Sequence, residues 1–376
     1  MSRIIAAVCV CLLLLPLALP QAMALLGVSQ GPGAVENRLK TPLPDVSLAL
    51  DDFGAYARQL VKAYAETFPF RDDMIRAGNV LKMRVFGDSP SKSVILGRDG
   101  WLFFNMEMAT EDWLNLIPYT REDLENAVEV MRGRRDWLAA RGIAMLVVIA
   151  PNKSSVYGEF LPPSYEKTGR TSRLDQLGEA MREAGIPFLD LRPALLEAKA
   201  VRRAYWKTDT HWNGWGAFAG SRAIVDALRQ RFPAMPPLRE EDYRVEEKTV
   251  PGGDLSEMLL LEKTLTEQAI DMVPAAPVRS RPAGPKGWRD PATLSGRGMI
   301  IRETGDPSLP KAVFLRDSFC SAAWPFLAER FSRSVFLWEH KFQPRIIELE
   351  KPGVVVFEAV ERYQHALFPP RAADPR

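Results

Sequence analysis

The 376-residue chain is poor in cysteine and histidine, the residue types on which most disulfide scaffolds and metal sites depend. Cys9 and Cys11 lie inside an N-terminal apolar stretch, so Cys320 stands alone in the remainder of the chain. An internal disulfide is therefore excluded from that remainder, and no cysteine spacing of the zinc-binding kind occurs. The folded part must be stabilised by its apolar core.

The chain also lacks an excess of charge of either sign. Its formal net charge is +2, which provides no general attraction to nucleic acid or to an anionic membrane surface, and nucleic acid is not an expected partner. No internal repeat is present. An apolar fraction of 47% in a chain of this length predicts one large domain, or one domain with an appendage.

The N-terminus is typical of an exported protein. After Arg3, residues 4–24 are uncharged, with a leucine-rich centre and the small-x-small end Ala22-Met23-Ala24. This pattern predicts a secretory signal peptide over residues 1–24. The alternative is an uncleaved membrane anchor, because the stretch approaches the roughly 20 residues of a spanning helix. Residues 25–47 are rich in Gly, Pro and small polar side chains and are interpreted as a linker.

Apolar spacing predicts the elements that follow. Residues 48–90 form a helical extension that Phe68-Pro69-Phe70 interrupts, and residues 94–104 form two short strands about a Gly-containing turn. Helices are then predicted near 122–141, 172–184, 214–230, 319–331 and 344–350. They alternate with short apolar runs at Ala144–Ala150, Pro187–Asp190, Ala312–Leu315, Ser334–Leu337 and Val354–Phe357.

This alternation of helix and strand predicts an α/β fold with a central parallel sheet covered by helices on both faces, which is a three-layer sandwich. Ligands of such folds bind beyond the carboxyl ends of the strands. Residues 239–302 are rich in Pro and Gly and poorly periodic. We interpret them as an excursion over the active-site end.

A histidine with a carboxylate two positions upstream is the most distinctive chemical feature. In Tyr205–Asn213, Asp209 precedes His211, and such a pair can serve as the general base of a serine hydrolase or acyltransferase. Ser318 is the candidate nucleophile, because it follows the predicted strand Ala312–Leu315 and opens a helix whose amides favour a developing oxyanion. The alternatives are an ordinary turn for the pair and an N-cap for Ser318.

Two other interpretations of this segment concern metals and sugars. Asp-x-His also begins some two-metal phosphoesterase sites, but these need more ligands than His340 and His365 offer in their contexts, so no metal and no cofactor are expected. Trp206 and Trp212 flank the pair, where aromatic side chains wall a carbohydrate site or pack in a core.

Six blocks of sequence, in this order, resemble the AlgJ/AlgX family of alginate O-acetyltransferases. The resemblance spans roughly residues 68–363. The blocks are Gly97-Arg98-Asp99-Gly100-Trp101-Leu102-Phe103, Ala150-Pro151-Asn152-Lys153, Thr208-Asp209-Thr210-His211-Trp212-Asn213, Gly252-Gly253-Asp254-Leu255, Arg316-Asp317-Ser318-Phe319 and Lys351-Pro352-Gly353-Val354-Val355.

The resemblance implies an SGNH-hydrolase-like domain over residues 91–368, followed by a short tail at 369–376. Its segments are circularly permuted, so that the Asp-His pair precedes the serine. Ser318 is then the nucleophile, His211 the base and Asp209 the residue that orients it. The chain is closer to the single-domain AlgJ type, since it ends too soon for the C-terminal carbohydrate-binding module of the AlgX type.

The resemblance further implies a periplasmic enzyme, attached to the inner membrane if the N-terminal segment is retained. It also implies a membrane-bound O-acyltransferase as the acetyl source and an exported polysaccharide as the acceptor. Asn152 is the candidate oxyanion donor or a turn residue, and Lys153 and Arg316 meet an anionic sugar or are solvated charges. Arg316 also replaces the glycine usual before the Asp-Ser pair, which puts the oxyanion geometry in doubt.

Three functions fit these residues. The first is polysaccharide O-acetylation through an acetyl-serine. The second is a periplasmic carbohydrate esterase or deacetylase with the same triad, because the sequence does not show what excludes water. The third is a non-catalytic component of an exopolysaccharide export complex.

Overall fold

The computed structural model describes Ala22 and residues 42–67, 71–287 and 298–369. Outside the described residues lie all of the predicted signal or anchor segment except Ala22, most of the predicted linker, the Phe68-Pro69-Phe70 interruption and most of the predicted tail. In the described part of the chain, no helix is both long and apolar enough to cross a membrane. The chain divides into two compact units at Pro90, and Leu259–Leu261 joins the first unit.

The first unit is helical, which confirms the prediction of an N-terminal helical extension. It contains α1 (Val46–Asp51), α2 (Phe53–Thr67), α3 (Arg71–Leu81) and a π-helical turn at Lys82–Phe86. The Asp45 carboxylate accepts a hydrogen bond from the Ser47 amide at 2.8 Å and so caps α1. Gly87 ends the π-helical turn with φ of 68°, a conformation that favours glycine.

The second unit opens with the predicted hairpin. Strands β1 (Val94–Leu96) and β2 (Leu102–Phe104) pair antiparallel about the turn at Arg98–Gly100. A Cβ on Gly97 would lie 2.7 Å from both the Phe103 ring and the Phe160 carbonyl oxygen, so only glycine fits there.

A seven-stranded sheet forms the centre of the second unit. The strands are β3 (Ala144–Ala150), β4 (Phe188–Asp190), β7 (Arg281–Pro282), β8 (Ile300–Glu303), β9 (Lys311–Arg316), β10 (Arg333–Trp338) and β11 (Val354–Val360). Their order across the sheet is β4-β3-β11-β9-β10-β8-β7. The first five strands are parallel, while β8 pairs antiparallel with both β10 and β7 at one edge. The predicted parallel sheet is confirmed.

Alternation along each strand builds a separate core on each face of this sheet. In β3, Leu146 and Val148 belong to one buried cluster, while Val147 and Ile149 belong to the other. Both clusters need helices to cover them, which gives three layers. The first cluster includes residues of α8 (Arg192–Val201), α9 (Gly214–Arg229) and α11 (Cys320–Ala328), and the second includes residues of α5 (Arg121–Ala139), α7 (Arg173–Glu183) and α12 (Pro344–Glu350).

Residues 239–302, interpreted as an excursion over the active-site end, contain regular structure that their poor periodicity did not indicate. Strands β5 (Tyr243–Pro251) and β6 (Thr266–Pro274) form a long antiparallel hairpin there. Most residues of β5 are exposed, so the strand lacks the apolar alternation by which strands are found. The single turn of helix α10 (Asp254–Glu257) follows β5 and approaches the catalytic segment described below.

Polar side chains collect where the parallel strands end. Asn152 and Lys153 follow β3, Ser318 follows β9, and Glu361 and Arg362 follow β11. The carboxyl ends of parallel strands share one edge of a sheet, so these residues meet there. The second unit also contains the short helices α4 (Ala109–Trp113) and α6 (Lys153–Tyr157).

Candidate active site

Ser318 lies in the turn between β9 and α11, where the sequence predicted the nucleophile. Its neighbour Asp317 holds this turn, because one carboxylate oxygen accepts the Phe319 amide at 2.9 Å and the other accepts the Val360 amide at 2.7 Å. Helix α11 has Phe319 at its N-cap position, so Ser318 is not the N-cap residue. The Ser318 hydroxyl is hydrogen-bonded to an imidazole instead.

That imidazole belongs to His211. Its Nε2 lies 2.9 Å from Ser318 Oγ, and its Nδ1 lies 2.7 Å from Asp209 Oδ1. The ring packs beside Phe319, with ring centroids 5.0 Å apart, and its side chain remains 29% exposed, so a ligand can reach it. The structure therefore brings Ser318, His211 and Asp209 into one hydrogen-bonded chain.

Asp209 is fixed by donors other than the imidazole as well. Its Oδ1 also accepts the His211 amide at 2.9 Å, and its Oδ2 accepts the Asp254 amide at 3.0 Å. Burial raises the pKa of Asp209, but the hydrogen bonds and charge of His211, together with these amides, outweigh burial and lower it to about 2. Asp209 is thus ionised at neutral pH.

Asp254 adds a second carboxylate beside the imidazole. It accepts the Thr210 amide at 2.7 Å and the Thr210 hydroxyl at 2.5 Å, and its Oδ2 lies 3.7 Å from His211 Nδ1. Burial, and after it the charge of Asp209, raise the pKa of Asp254. These contacts make Asp254 a structural partner of the segment that carries His211.

Lys153 holds the loop of residues 206–211, which carries Asp209 and His211 and is called the catalytic loop from here on. Its Nζ donates to the carbonyl oxygens of Trp206, Lys207 and Asp209 at 3.2, 3.0 and 2.7 Å. Burial lowers the pKa of Lys153 to about 7, against the charges of Asp209 and Asp254. Lys153 is 5% exposed. Both expectations for it, a sugar contact or a solvated charge, are wrong because three backbone carbonyls occupy its ammonium.

Glu267 on β6 secures the same loop, and sequence reasoning missed it. Its carboxylate accepts the amides of Lys207 and Thr208 at 2.7 and 3.0 Å and also bonds the Thr208 hydroxyl. Arg203 pairs with it at 3.2 Å. Glu267 lies about 60 residues from this loop in the sequence, so nothing in its sequence neighbourhood pointed to the site.

Two residues that follow β11 fix Asn152. Its backbone amide donates to Glu361 Oε2 at 2.8 Å, and its side-chain oxygen accepts from Arg362 at 3.1 Å. Asn152 and Thr210 line a small cavity of about 20 Å³ beside the catalytic loop. The backbone amide is committed to Glu361, so an oxyanion contact would use the side-chain amide.

Arg316 and Trp212 are almost fully buried. Arg316 is 2% exposed and donates to the Asp317 carbonyl and the Ser321 hydroxyl, both at 2.9 Å, while its guanidinium lies over the Trp338 ring. The sugar-contact and solvated-charge alternatives for Arg316 are therefore both wrong. Trp212 is 1% exposed and donates to the Phe319 carbonyl, so it packs in the core rather than against a sugar.

One group of potential metal ligands occurs in the described part of the chain, and it is the same triad region. Ligand atoms of Asp209, His211 and Asp254 lie within 4.8 Å of one another. The carboxylate oxygens already accept amide and hydroxyl hydrogen bonds, and the free imidazole nitrogen faces Ser318. Hydrogen bonding alone accounts for this cluster.

Two known proteins with similar sequences are named as alginate O-acetylases. The chain is 25% identical to the "Probable alginate O-acetylase AlgJ" of Pseudomonas aeruginosa over 276 residues, which cover 73% of this chain and 67% of that protein. It is 25% identical to the "Probable alginate O-acetylase AlgJ" of Pseudomonas putida over 178 residues, covering 47% and 44%. The matched region thus spans about half to two thirds of these relatives.

A solved structure supports the fold. Bacillus cereus PatB1 superposes with a TM-score of 0.53 at 16% identity, covering 73% of this chain and 97% of that chain. Residues 94–292 match the family described as "SGNH hydrolase-like domain, acetyltransferase AlgX", a match that includes more than half of the 376 residues. The chain, with its SGNH-hydrolase-like fold, belongs to this family of AlgX-type acetyltransferase domains.

Proposed function

We propose that the protein is an O-acetyltransferase that moves acetyl groups onto hydroxyls of an exported polysaccharide through an acetyl-serine at Ser318. The observation that carries this proposal is the continuous hydrogen-bonded chain from Ser318 through His211 to Asp209, with atom separations of 2.9 and 2.7 Å. This is the geometry of an activated nucleophile, its base and the residue that orients the base.

The first half-reaction loads the enzyme. Ionised Asp209 favours the tautomer with the proton on Nδ1 of His211, which leaves Nε2 to accept the Ser318 proton. Ser318 Oγ forms a bond to the acetyl carbonyl carbon, the donor's leaving oxygen departs with the proton from His211, and acetyl-Ser318 results. The charge that develops on the carbonyl oxygen needs donors, for which the Ser318 amide and the Asn152 side-chain amide are the candidates.

The second half-reaction reverses these roles. His211 Nε2 takes the proton of a sugar hydroxyl, whose oxygen attacks acetyl-Ser318. The Ser318 oxygen leaves and recovers its proton from the imidazole, so the enzyme is regenerated and the sugar carries an acetate ester. Water in place of the sugar would give hydrolysis, which is the esterase alternative.

The relatives' names favour transfer over hydrolysis, since both describe alginate O-acetylases. The export signature of residues 1–24 supports a periplasmic location, with inner-membrane attachment if the segment is retained. A periplasmic acetyltransferase needs a donor from across the membrane. We therefore assign that supply to a membrane-bound O-acyltransferase partner.

The test offers the purified protein 4-nitrophenyl acetate with and without oligosaccharide acceptors, beside the Ser318→Ala and His211→Ala variants. We expect acetylated sugar from the unaltered protein and at least about a 10²-fold loss in each variant. If the rate of acetate release does not depend on the acceptor, the reaction is hydrolysis and not transfer. Intact sugar binding with no turnover at all would leave only a non-catalytic role.

A further inference from the structure

A groove of about 670 Å³ lies beside the catalytic loop, and the chemistry described above leaves it unused. Trp206 and Gly214 line it from the two ends of the catalytic segment, and Ala322 and Phe326 line it from α11. Ala322 lies in the first turn of α11, four residues after Ser318, and Trp212 of the lining directly follows His211 in the chain. The groove therefore begins close to the nucleophile, and its volume suits a ligand of several rings.

The walls of the groove present flat apolar surface beside polar groups. Trp206 and Tyr243 are half-buried, Phe326 and Met272 are buried, and Asp271 stands among them. Trp206 is also held rigidly, because its amide donates to the His211 carbonyl at 3.2 Å and its carbonyl accepts from Lys153 at 3.2 Å. Aromatic faces with adjacent hydrogen-bonding groups suit pyranose rings, which have apolar faces and polar edges.

The charges of the lining do not suit an acidic polymer. Among the described lining residues, carboxylates outnumber guanidinium groups by four to two; they are Glu241, Asp242, Asp271, Glu329, Arg279 and Arg330. Arg279 lies 3.9 Å from Glu329, and Arg330 is only 8% exposed. The nearby Lys248 pairs with Asp271 at 3.0 Å. Arg239 lies 3.8 Å from Glu241. The carboxylates of the groove are thus balanced by cations and not exceeded by them, so a polymer that carries a carboxylate on every sugar would find no net positive charge to bind it.

We propose that this groove binds the acceptor polysaccharide, and that the acceptor is a chain of uncharged hexoses rather than a polyuronate such as alginate. The inference rests on the proposed function, whose acceptor it specifies. Trp206 and Tyr243 then determine which sugar is accepted, because one ring stacks on them and the next ring of the chain is presented to acetyl-Ser318.

The test measures binding of cellohexaose, laminarihexaose and hexamannuronate to the purified full-length protein by calorimetry. We expect at least one neutral hexasaccharide to bind more tightly than hexamannuronate. Trp206→Ala and Tyr243→Ala should each weaken that binding roughly tenfold, the equivalent of about 1.4 kcal/mol. Phe232→Ala is the matched control, because Phe232 lines a different cavity, of about 380 Å³.

Formation of acetyl-Ser318 without any sugar is followed in parallel, so that the two proposals can fail separately. Tighter binding of hexamannuronate, or neutral-sugar binding that both aromatic variants leave unchanged, overturns the groove assignment even if acetyl-Ser318 forms. No binding of either neutral sugar also overturns it. Neutral-sugar binding without acetyl-Ser318 supports the groove and removes the proposed function.

Discussion

Asp209 accepts hydrogen bonds from the imidazole, the His211 amide and the Asp254 amide, so a single carboxylate sets the position of both the base and the neighbouring helix α10. Asparagine has one acceptor oxygen where aspartate has two, so Asp209→Asn must give up either the imidazole or the Asp254 amide. Neither orientation of the amide keeps both contacts, and a neutral side chain does not stabilise the imidazolium that forms when His211 takes the proton.

We therefore expect Asp209→Asn to lower kcat by roughly 10²- to 10⁴-fold while the protein stays folded. Steady-state turnover of a chromogenic acetyl ester measures this loss, and a thermal melt checks folding. Because the pKa of Asp209 is about 2, the unaltered protein should show no loss of activity from protonation of this group above about pH 4. Retention of full activity by Asp209→Asn would remove Asp209 from the mechanism.

Gly253 gives a second prediction at the same carboxylate. A Cβ at this position would lie 2.4 Å from the Asp209 Cβ and 2.5 Å from its Oδ2, closer than atoms can approach, so Asp209 must move. Gly253→Ala should therefore reduce activity by about 10²-fold, the effect of a displacement near 1 Å. The same ester assay measures it.

Gly133→Ala is the control for that substitution. Gly133 lies within α5, and a Cβ there meets nothing within 4 Å. This variant should keep full activity and gain up to about 1 kcal/mol of stability from better helix propensity. Equal activities in the two alanine variants would show that the close approach of Gly253 to Asp209 has no catalytic consequence.

At the scale of the element, the ends of β9 and β11 are tied together by buried carboxyl groups. The Asp317 amide at the end of β9 donates to Glu358 of β11 at 3.1 Å, and Asp317 in turn accepts the Val360 amide. Burial, and then the charge of Asp317, raise the pKa of Glu358 well above its usual value. The folded protein therefore keeps a proton on Glu358 that the unfolded chain releases.

This linkage predicts how stability depends on pH. Above the ordinary glutamate pKa, near 4.3, the native state binds more protons than the unfolded state, so the free energy of unfolding falls as pH rises. Glu358→Gln should make that fall shallower by up to about 1.4 kcal/mol per pH unit. Urea unfolding at a series of pH values measures the slope, with the exposed Glu348→Gln as control. An unchanged slope in Glu358→Gln would mean that Glu358 is ionised in the folded state.

The predictability of these elements from sequence follows from their burial. Runs such as Ala144–Ala150 and Val354–Phe357 are buried on both faces, so they stand out as continuous apolar segments, and the turn that carries Ser318 could be placed from the strand before it. Strand β5 is exposed and carries no such signal. The contacts of Asp254 and Glu267 join segments about 45 and 60 residues from the loop, which local patterns do not report.

The other wrong predictions concern two long charged side chains. The sequence indicated solvated or sugar-facing roles for Lys153 and Arg316, since such residues are rarely buried. In the structure both are buried because backbone carbonyls accept their hydrogen bonds, three for Lys153 and one for Arg316 with the Ser321 hydroxyl. Carbonyl acceptors depend on loop conformation and leave no trace in residue type.

At the scale of the molecule, the second unit is held by apolar packing on both faces of one sheet, and Cys320 is a buried free thiol within it. Burial raises the pKa of the Cys320 thiol well above its usual value, so little of the reactive thiolate forms. The second unit has Cys320 as its one cysteine and therefore does not depend on disulfide formation to fold.

We expect iodoacetamide at neutral pH to label Cys320 only after unfolding in guanidinium, and reductant to leave the melting temperature unchanged. Peptide mapping by mass spectrometry after each treatment measures the labelling, with the fully unfolded chain as the positive control. Rapid labelling of Cys320 in the native protein would show that α11 opens readily or that its packing is looser than described.

The central claim is that Ser318 carries the acetyl group between donor and acceptor. The most direct measurement is to mix the protein with an acetyl donor in the absence of sugar, quench with acid, digest, and locate the added acetyl group by tandem mass spectrometry. We predict acetyl on Ser318, its disappearance when an acceptor is added before the quench, and none in Ser318→Ala or His211→Ala. Acetyl on another residue, or undiminished transfer by Ser318→Ala, would contradict the account.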